Sequence, residues 1–414
     1  MKKLLFGATL LIFIASPAYA AGFYLQEQSV KGLGMAFAGS TTSINDASTI
    51  YFNPAGMTDL EQGQIHAGVN LMIQHGDISD TGSTFFGPPI APAAEGNPYD
   101  PIALPNLYAA YPFHIFGKEI WGGLGVSLPF GITSDYGGAA FNRFDATETE
   151  LNTINLTPAL AVDITDMLSV GAGLDIQYAE ADLRAAFNAG TPGTTRIKGD
   201  DISYGFNIGL QIEPVETTKI GLHYRSAISH ELDGRIINIG TGLDTNEPGT
   251  LDLDLPDIAT IGIGHDVNDR MRIMGQVAWF GWDRFNDIDG NTDAGVATDP
   301  DRLQQNYDDT FAFAVGGEYD FNPQWTFRVG YQYDQTPTND QFRSTRNPDG
   351  DRHQVSAGGT YKLTPNLELD FAASYTDIGE ETVNVARNFG GNAIILADTE
   401  GYIANVAAAI TWKF

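Results

Sequence analysis

Acid–base, nucleophilic and metal chemistry all need particular side chains held together. The sequence offers 7 His, 52 Asp and Glu, 22 Lys and Arg, and no Cys. Without Cys there are no thiol nucleophiles, thiolate metal sites or disulfides. His223 and Arg225 share a strand parity with Lys219, but no spacing offers a Ser-His-Asp or Asp-His arrangement around His223. Arg272, Arg328 and Arg352 fall on the inward parity of their own segments, opposite many acids, and read as ion pairs. His223, Arg225, Arg272 and Arg328 remain the candidate ligand-contacting residues, with a ligand carboxylate as the second reading of an unpaired Arg. The run from Asp287 to Asp293 sets Asp287, Asp289, Asn291 and Asp293 at alternate positions around Gly290, a pattern that suits a hard cation. No Glu closes the loop, so it reads first as a solvated acidic turn and only second as a weak divalent site. Gly32, Gly34 and Gly39 neither follow a strand nor match the nucleotide-loop spacing. No catalytic residue, cofactor or firm metal site emerges, and enzyme activity is not expected.

The elements that must position these residues are strands. The formal charge of −30 argues against nucleic-acid binding, which needs a basic face. Lys2 and Lys3, the apolar run Leu4 to Ala15 and the close Ala18-Tyr19-Ala20 read as a signal peptide over residues 1–20. Beyond it no apolar run approaches the roughly 20 residues of a spanning helix. Instead, Tyr402, Ala404, Val406, Ala408, Ile410, Trp412 and Phe414 alternate with Gly401, Ile403, Asn405, Ala407, Ala409, Thr411 and Lys413. One face suits hydrocarbon and the other a lumen. The same parity recurs at Leu367 to Tyr375, Trp325 to Tyr333 and Ile202 to Leu210, with Glu368 and Asp370 on an inner face that is expected to be wet. A one-residue slip would put charge into lipid, so the register is determined.

Fourteen such segments are predicted, near 61–75, 104–115, 119–132, 150–163, 168–187, 199–213, 217–230, 249–266, 271–284, 305–320, 324–336, 352–363, 366–378 and 399–414. Short turns such as Phe116-Gly117-Lys118 alternate with long loops such as 76–103 and 379–398, the asymmetry of bacterial outer-membrane barrels. The fold is therefore an all-β, 14-stranded antiparallel transmembrane β-barrel over 61–414, preceded at 21–60 by a compact Gly-broken segment. Pro129 interrupts the third strand by removing a ladder donor, so a bulge or wall defect is expected at Pro129-Phe130-Gly131.

The N-terminal blocks Gly22-Phe23-Tyr24-Leu25-Gln26-Glu27-Gln28, Gly32-Leu33-Gly34-Met35-Ala36-Phe37-Ala38-Gly39, Asn45-Asp46-Ala47 and Asn53-Pro54-Ala55-Gly56-Met57 closely resemble the mature N-terminus of the FadL family. Pro129-Phe130-Gly131, Asn155 to Ala159 and Tyr224-Arg225-Ser226 extend the resemblance over most of the chain. It implies a barrel closed by an N-terminal hatch carrying the Asn53-Pro54-Ala55 motif. It also implies a ligand pocket above the hatch and a third-strand kink that opens the wall sideways. The expected function is uptake of long-chain fatty acids or hydrocarbons across a Gram-negative outer membrane by passive, ligand-gated lateral diffusion. A general porin and an outer-membrane lipid-acting enzyme are the alternatives. The expected partners are the hydrophobic ligand, outer-membrane lipid and lipopolysaccharide, and the barrel assembly machinery during biogenesis; a monomer is expected. Two departures from the family are notable: the fifth-to-sixth-strand loop, 188–198, is short, and Glu180 and Asp182 stand where fatty acid carriers tend to be basic. The latter points toward a less anionic ligand.

Overall fold

A computed structural model describes residues 22–90, 96–188, 192–240, 244–286, 288, 290–292, 304–387 and 393–414. The expected signal peptide lies outside the described residues, as do Asp287, Asp289 and Asp293 of the acidic run.

Alternating outward apolar and inward small or polar residues form strands β1 (Gln64–Asp80), β2 (Ile102–Ile115), β3 (Lys118–Ser127, resuming at Gly131–Asp135) and β4 (Glu148–Thr165). They continue as β5 (Leu168–Asn188), β6 (Pro192–Val215), β7 (Thr218–Arg225 and Ile228–Ile239) and β8 (Thr245–Leu255 and Ile258–Asn268). The last are β9 (Met271–Phe280), β10 (Thr310–Asn322), β11 (Trp325–Asp334), β12 (Arg352–Thr364), β13 (Leu367–Arg387) and β14 (Ala393–Lys413). Each pairs antiparallel with its neighbours, and β1 pairs with β14 from Gln64↔Lys413 to Asp80↔Ala397, so the sheet closes. Closure removes the free edges that hydrocarbon cannot satisfy.

The register follows the sequence pattern. Val406, Ile410, Trp412 and Phe414 are exposed, while Asn405 and Thr411 are buried in the lumen. All fourteen expected segments are strands, but several run past their expected outer ends. β13 reaches Arg387 and β14 starts at Ala393, so most of the expected 379–398 loop is hairpin, and β6 starts at Pro192 inside the expected 188–198 loop. The reason lies in the alternation itself. In Ala179-Glu180-Ala181-Asp182-Leu183 and Leu251-Asp252-Leu253-Asp254-Leu255 the small and apolar residues are buried inward and the acids turn outward. Outward acids place these lengths above the hydrocarbon, where a strand needs no apolar outer face.

Residues 22–60 form α1 (Val30–Gly34), α2 (Thr49–Phe52) and a 3-10 turn (Pro54–Asp59), nearly all buried. α1 packs on β11–β14 while the 3-10 turn packs on β4–β6, so the segment bridges opposite walls and lies within the barrel. Glycines admit it: a Cβ on Gly171 would sit 2.4 Å from Ala55 N, and one on Gly358 would sit 2.8 Å from the Gly34 Cα. Gly34 and Gly39 therefore serve close packing.

Candidate functional site

The inner faces of β1 and β13 carry His66, Glu368 and Asp370, and the structure covers all three with the hatch rather than water. Lys31 of α1 reaches Asp46 at 3.3 Å and Glu368 at 3.4 Å, and Glu368 also pairs with Lys413 at 2.7 Å. Burial would push the Asp46 carboxyl up, but His66, Lys31 and hydrogen bonds from Ser48 hold it well below the usual carboxylate range. Asp46, His66 and Asp370 bring possible ligand atoms within 4.8 Å of one another. The Lys31 ammonium already balances this acidic ground, which makes it a latch between hatch and wall.

A second anchor involves two of the sequence candidates. Arg225 pairs with Asp175 at 2.5 Å, donates to the Tyr51 carbonyl oxygen at 2.9 Å, and stacks 4.5 Å from the Tyr51 ring. His223 is buried beside it, near Tyr24 and Tyr51. Asn53 Nδ2 donates to the carbonyl oxygens of Thr41 and Leu210, and its Oδ1 accepts from Ala55 N, so Asn53-Pro54-Ala55 pins the hatch to β6. Arg272 pairs with Asp266, and Arg328 with Glu318 at 2.7 Å, both toward the short-turn end. The four candidates point inward as expected, but the structure does not bring them together, and none lines the apolar pocket described below.

The wall defect stands at the expected place. Ser127 pairs with Asn155 and Gly131 with Asn152, so four steps on β3 oppose three on β4, and one residue bulges. Above Leu107↔Val126, β2 has no ladder to β3, because Gly131–Asp135 pairs with β4 alone. Ile102–Asn106 thus borders a gap, closed above by an Asp135 N–H to Pro98 carbonyl bond of 2.8 Å. Unpaired backbone facing hydrocarbon is costly, and the hatch satisfies it. Leu25 N–H donates to the Pro129 carbonyl at 2.8 Å and Gly131 N–H to the Phe23 carbonyl at 3.1 Å. The Gln28 carboxamide both donates to the Leu128 carbonyl and accepts from Leu128 N–H, replacing a strand partner.

Beside the gap, above the hatch, lies a small pocket with a largely apolar lining. Leu151, Leu183, Leu232, Leu251 and Leu253 of the wall face Phe23, Phe285 and Tyr307 across it. Phe23 stands edge-on to Trp282 at 4.9 Å and to Phe285 at 5.1 Å. One cation lines this space. Arg346, from the loop between β11 and β12, is buried, makes no ion pair among the described residues, and its Nε has no hydrogen-bond partner. Its other nitrogens reach only backbone carbonyls and Thr149 Oγ1, at 3.3 to 3.4 Å. Burial lowers its pKa to about 10, with Asp145 opposing and Arg387 reinforcing the shift, so it stays charged at neutral pH. Glu180 and Asp182 are not at this site: Glu180 is exposed on the outer face, and Asp182 pairs with Arg196.

Over residues 11–414 the chain matches a known family described as outer membrane protein transport protein (OMPP1/FadL/TodX). The chain belongs to that family. Among its relatives, outer membrane protein P1 of Haemophilus influenzae is 27% identical, over 93% of this chain and 95% of that protein. A long-chain fatty acid transport protein of Escherichia coli is 28% identical over 89% of each. The fold is shared with a Pseudomonas aeruginosa FadL homologue at a TM-score of 0.89 and 24% identity, covering 95% of this chain and all of that one. It is also shared with the Pseudomonas putida toluene transporter TodX, at a TM-score of 0.71 and 17% identity over 92% and 98%. This OMPP1/FadL/TodX member is thus an outer-membrane transport protein, and its barrel places it in a Gram-negative outer membrane.

The sequence reading missed Arg346 and the pocket leucines. Arg346 lies in a loop without parity, so no pattern flags it. The leucines carried a usable signal, since a strand whose leucines alternate with acids has its apolar face turned inward, the reverse of the membrane-spanning lengths.

Proposed function

We propose that this protein takes up long-chain amphiphiles with an anionic head, of the fatty acid class, and releases them sideways through the wall gap into the outer membrane. The observation that carries the reading is the buried Arg346, without an ion-pair partner among the described residues, on the edge of a largely apolar pocket. A purely hydrocarbon cargo gives no reason to bury a guanidinium that makes no ion pair among the described residues, which is costly, whereas a carboxylate completes its hydrogen bonds.

The exit follows from adjacency. A second space shares Phe23, Ile132 and Asn347 with the first, and is bounded by Ile102 of β2 and by Gly131, Ile132 and Thr133 of β3. It therefore joins the pocket to the gap, with Phe23 as the partition. An apolar chain leaving sideways avoids exposure to water, which costs about 0.8 kcal/mol per methylene. Transport rather than catalysis is the role proposed, as in the family to which the chain belongs.

Gly131→Trp tests the route. A Cβ at Gly131 would already stand 3.1 Å from Leu25 Cδ1 and 3.3 Å from the Leu151 carbonyl, so an indole there wedges the gap. Uptake of radiolabelled hexadecanoic acid by cells carrying the variant is expected to stop, while the purified variant binds the acid as before. Uptake at the wild-type rate would refute sideways release.

A further inference from the structure

The exit space is more polar than the pocket. Alongside Met72, Ile102 and Ile403 it presents the carboxyl of Glu27, a hatch residue two positions past Leu25, the residue that pairs with the kink. Glu27 makes no ion pair among the described residues, and its one side-chain partner is Asn405 Nδ2 at 3.4 Å. The charged and titratable groups around it come from several elements: Arg352 of β12, Asp334 at the end of β11, Tyr24 of the hatch, and Asp100 and Tyr99 before β2. Arg352 is already engaged, with Asp349 at 2.8 Å and the Gly22 carbonyl at 2.8 Å. A carboxylate leaving Arg346 therefore meets a carboxyl, not a free cation, on its way to the gap.

That order matters because an ionised carboxylate does not enter hydrocarbon; it neutralises first. We propose that Glu27 is the proton donor on the exit path, its carboxylic O–H passing its proton to the ligand carboxylate so that the ligand crosses the gap as a neutral acid. The inference rests on the anionic-amphiphile reading above. One O–H bond breaks on Glu27 and one forms on the ligand; Glu27 is left as a carboxylate and takes a proton back from water. Burial pushes the Glu27 carboxyl above its ordinary range, and backbone hydrogen bonds, Arg352 and Asn405 offset this only in part. A group raised in this way is protonated below its shifted pKa and loses the donor form as pH rises through it, so acid uptake should fall with rising pH.

The experiment uses the full chain expressed in cells that lack a transporter of this family. Uptake of radiolabelled hexadecanoic acid and of hexadecan-1-ol is followed between about pH 5 and 9. Glu27→Gln keeps the acceptor for Asn405 but cannot donate an acid proton. Its acid uptake is expected to drop on the order of tenfold or more and to lose the wild-type pH dependence relative to a parallel wild-type series. Its alcohol uptake and its affinity for the acid should stay unchanged, and Glu27→Asp should restore part of the acid uptake. Acid uptake by Glu27→Gln equal to wild type at every pH would overturn the proposal, and so would equal loss of acid and alcohol, which marks a structural role. If the wild-type protein carries neither compound, it is the underlying function that fails.

Discussion

Replacing Arg346 with Met is the sharpest test of the ligand class, because it keeps an unbranched apolar stem and removes the guanidinium. In the free protein the change should be tolerated. The side chain's bonds to the Glu148 and Arg184 carbonyls and to Thr149 are all 3.3 to 3.4 Å long, and its Nε is unsatisfied. Asp145 keeps its partner Arg387 at 2.6 Å. In the complex, a carboxylate bound by Arg346 loses charge-assisted hydrogen bonds of about 1.5 to 3 kcal/mol, which weakens its binding roughly 10- to 150-fold. An alcohol of the same chain length has no ionic bond to lose, and its affinity should change less than about threefold. Equilibrium binding of hexadecanoic acid and hexadecan-1-ol to the purified barrel separates the two. An equal loss for both ligands would show that Arg346 only shapes the pocket. Unchanged acid binding would refute the anionic-head reading altogether.

Two further outcomes concern the hatch. Deleting residues 22–59 leaves the closing β1–β14 ladder intact, so the barrel should assemble but conduct ions; single-channel conductance no higher than the full-length protein would show that the segment is not a plug. Lys31→Met leaves Asp46 and Glu368 without their shared cation, at a cost of about 3 to 5 kcal/mol for a broken buried pair, and should raise open-channel events. In the unaltered protein the depressed Asp46 carboxyl contributes stability above its ordinary pKa near 4, and loses it only as pH falls below that, through the folded value. Conductance should therefore stay flat from about pH 5 to 8; a rise near pH 6 would refute the latch.

The sequence by itself determined the barrel. Alternation such as Val406, Ala408, Ile410 and Trp412 against Asn405, Ala407, Ala409 and Thr411 admits one register once one side is hydrocarbon, and short turns at Phe116-Gly117 and 214–216 assign the ends. Pro129 likewise announced its defect, because a missing donor is a property of the residue and not of its surroundings. What closes the gap was not legible. The Gln28 carboxamide facing Leu128, and Phe23 facing Gly131, join positions about a hundred residues apart through a hatch without periodicity. The inner acids were misjudged for the same reason: parity shows that Glu368 and Asp370 point inward, but only the fold brings Lys31 there in place of water. Arg346 is the extreme case. That it makes no ion pair among the described residues is a statement about every neighbouring element at once, and such a statement exists only when the chain has closed around it.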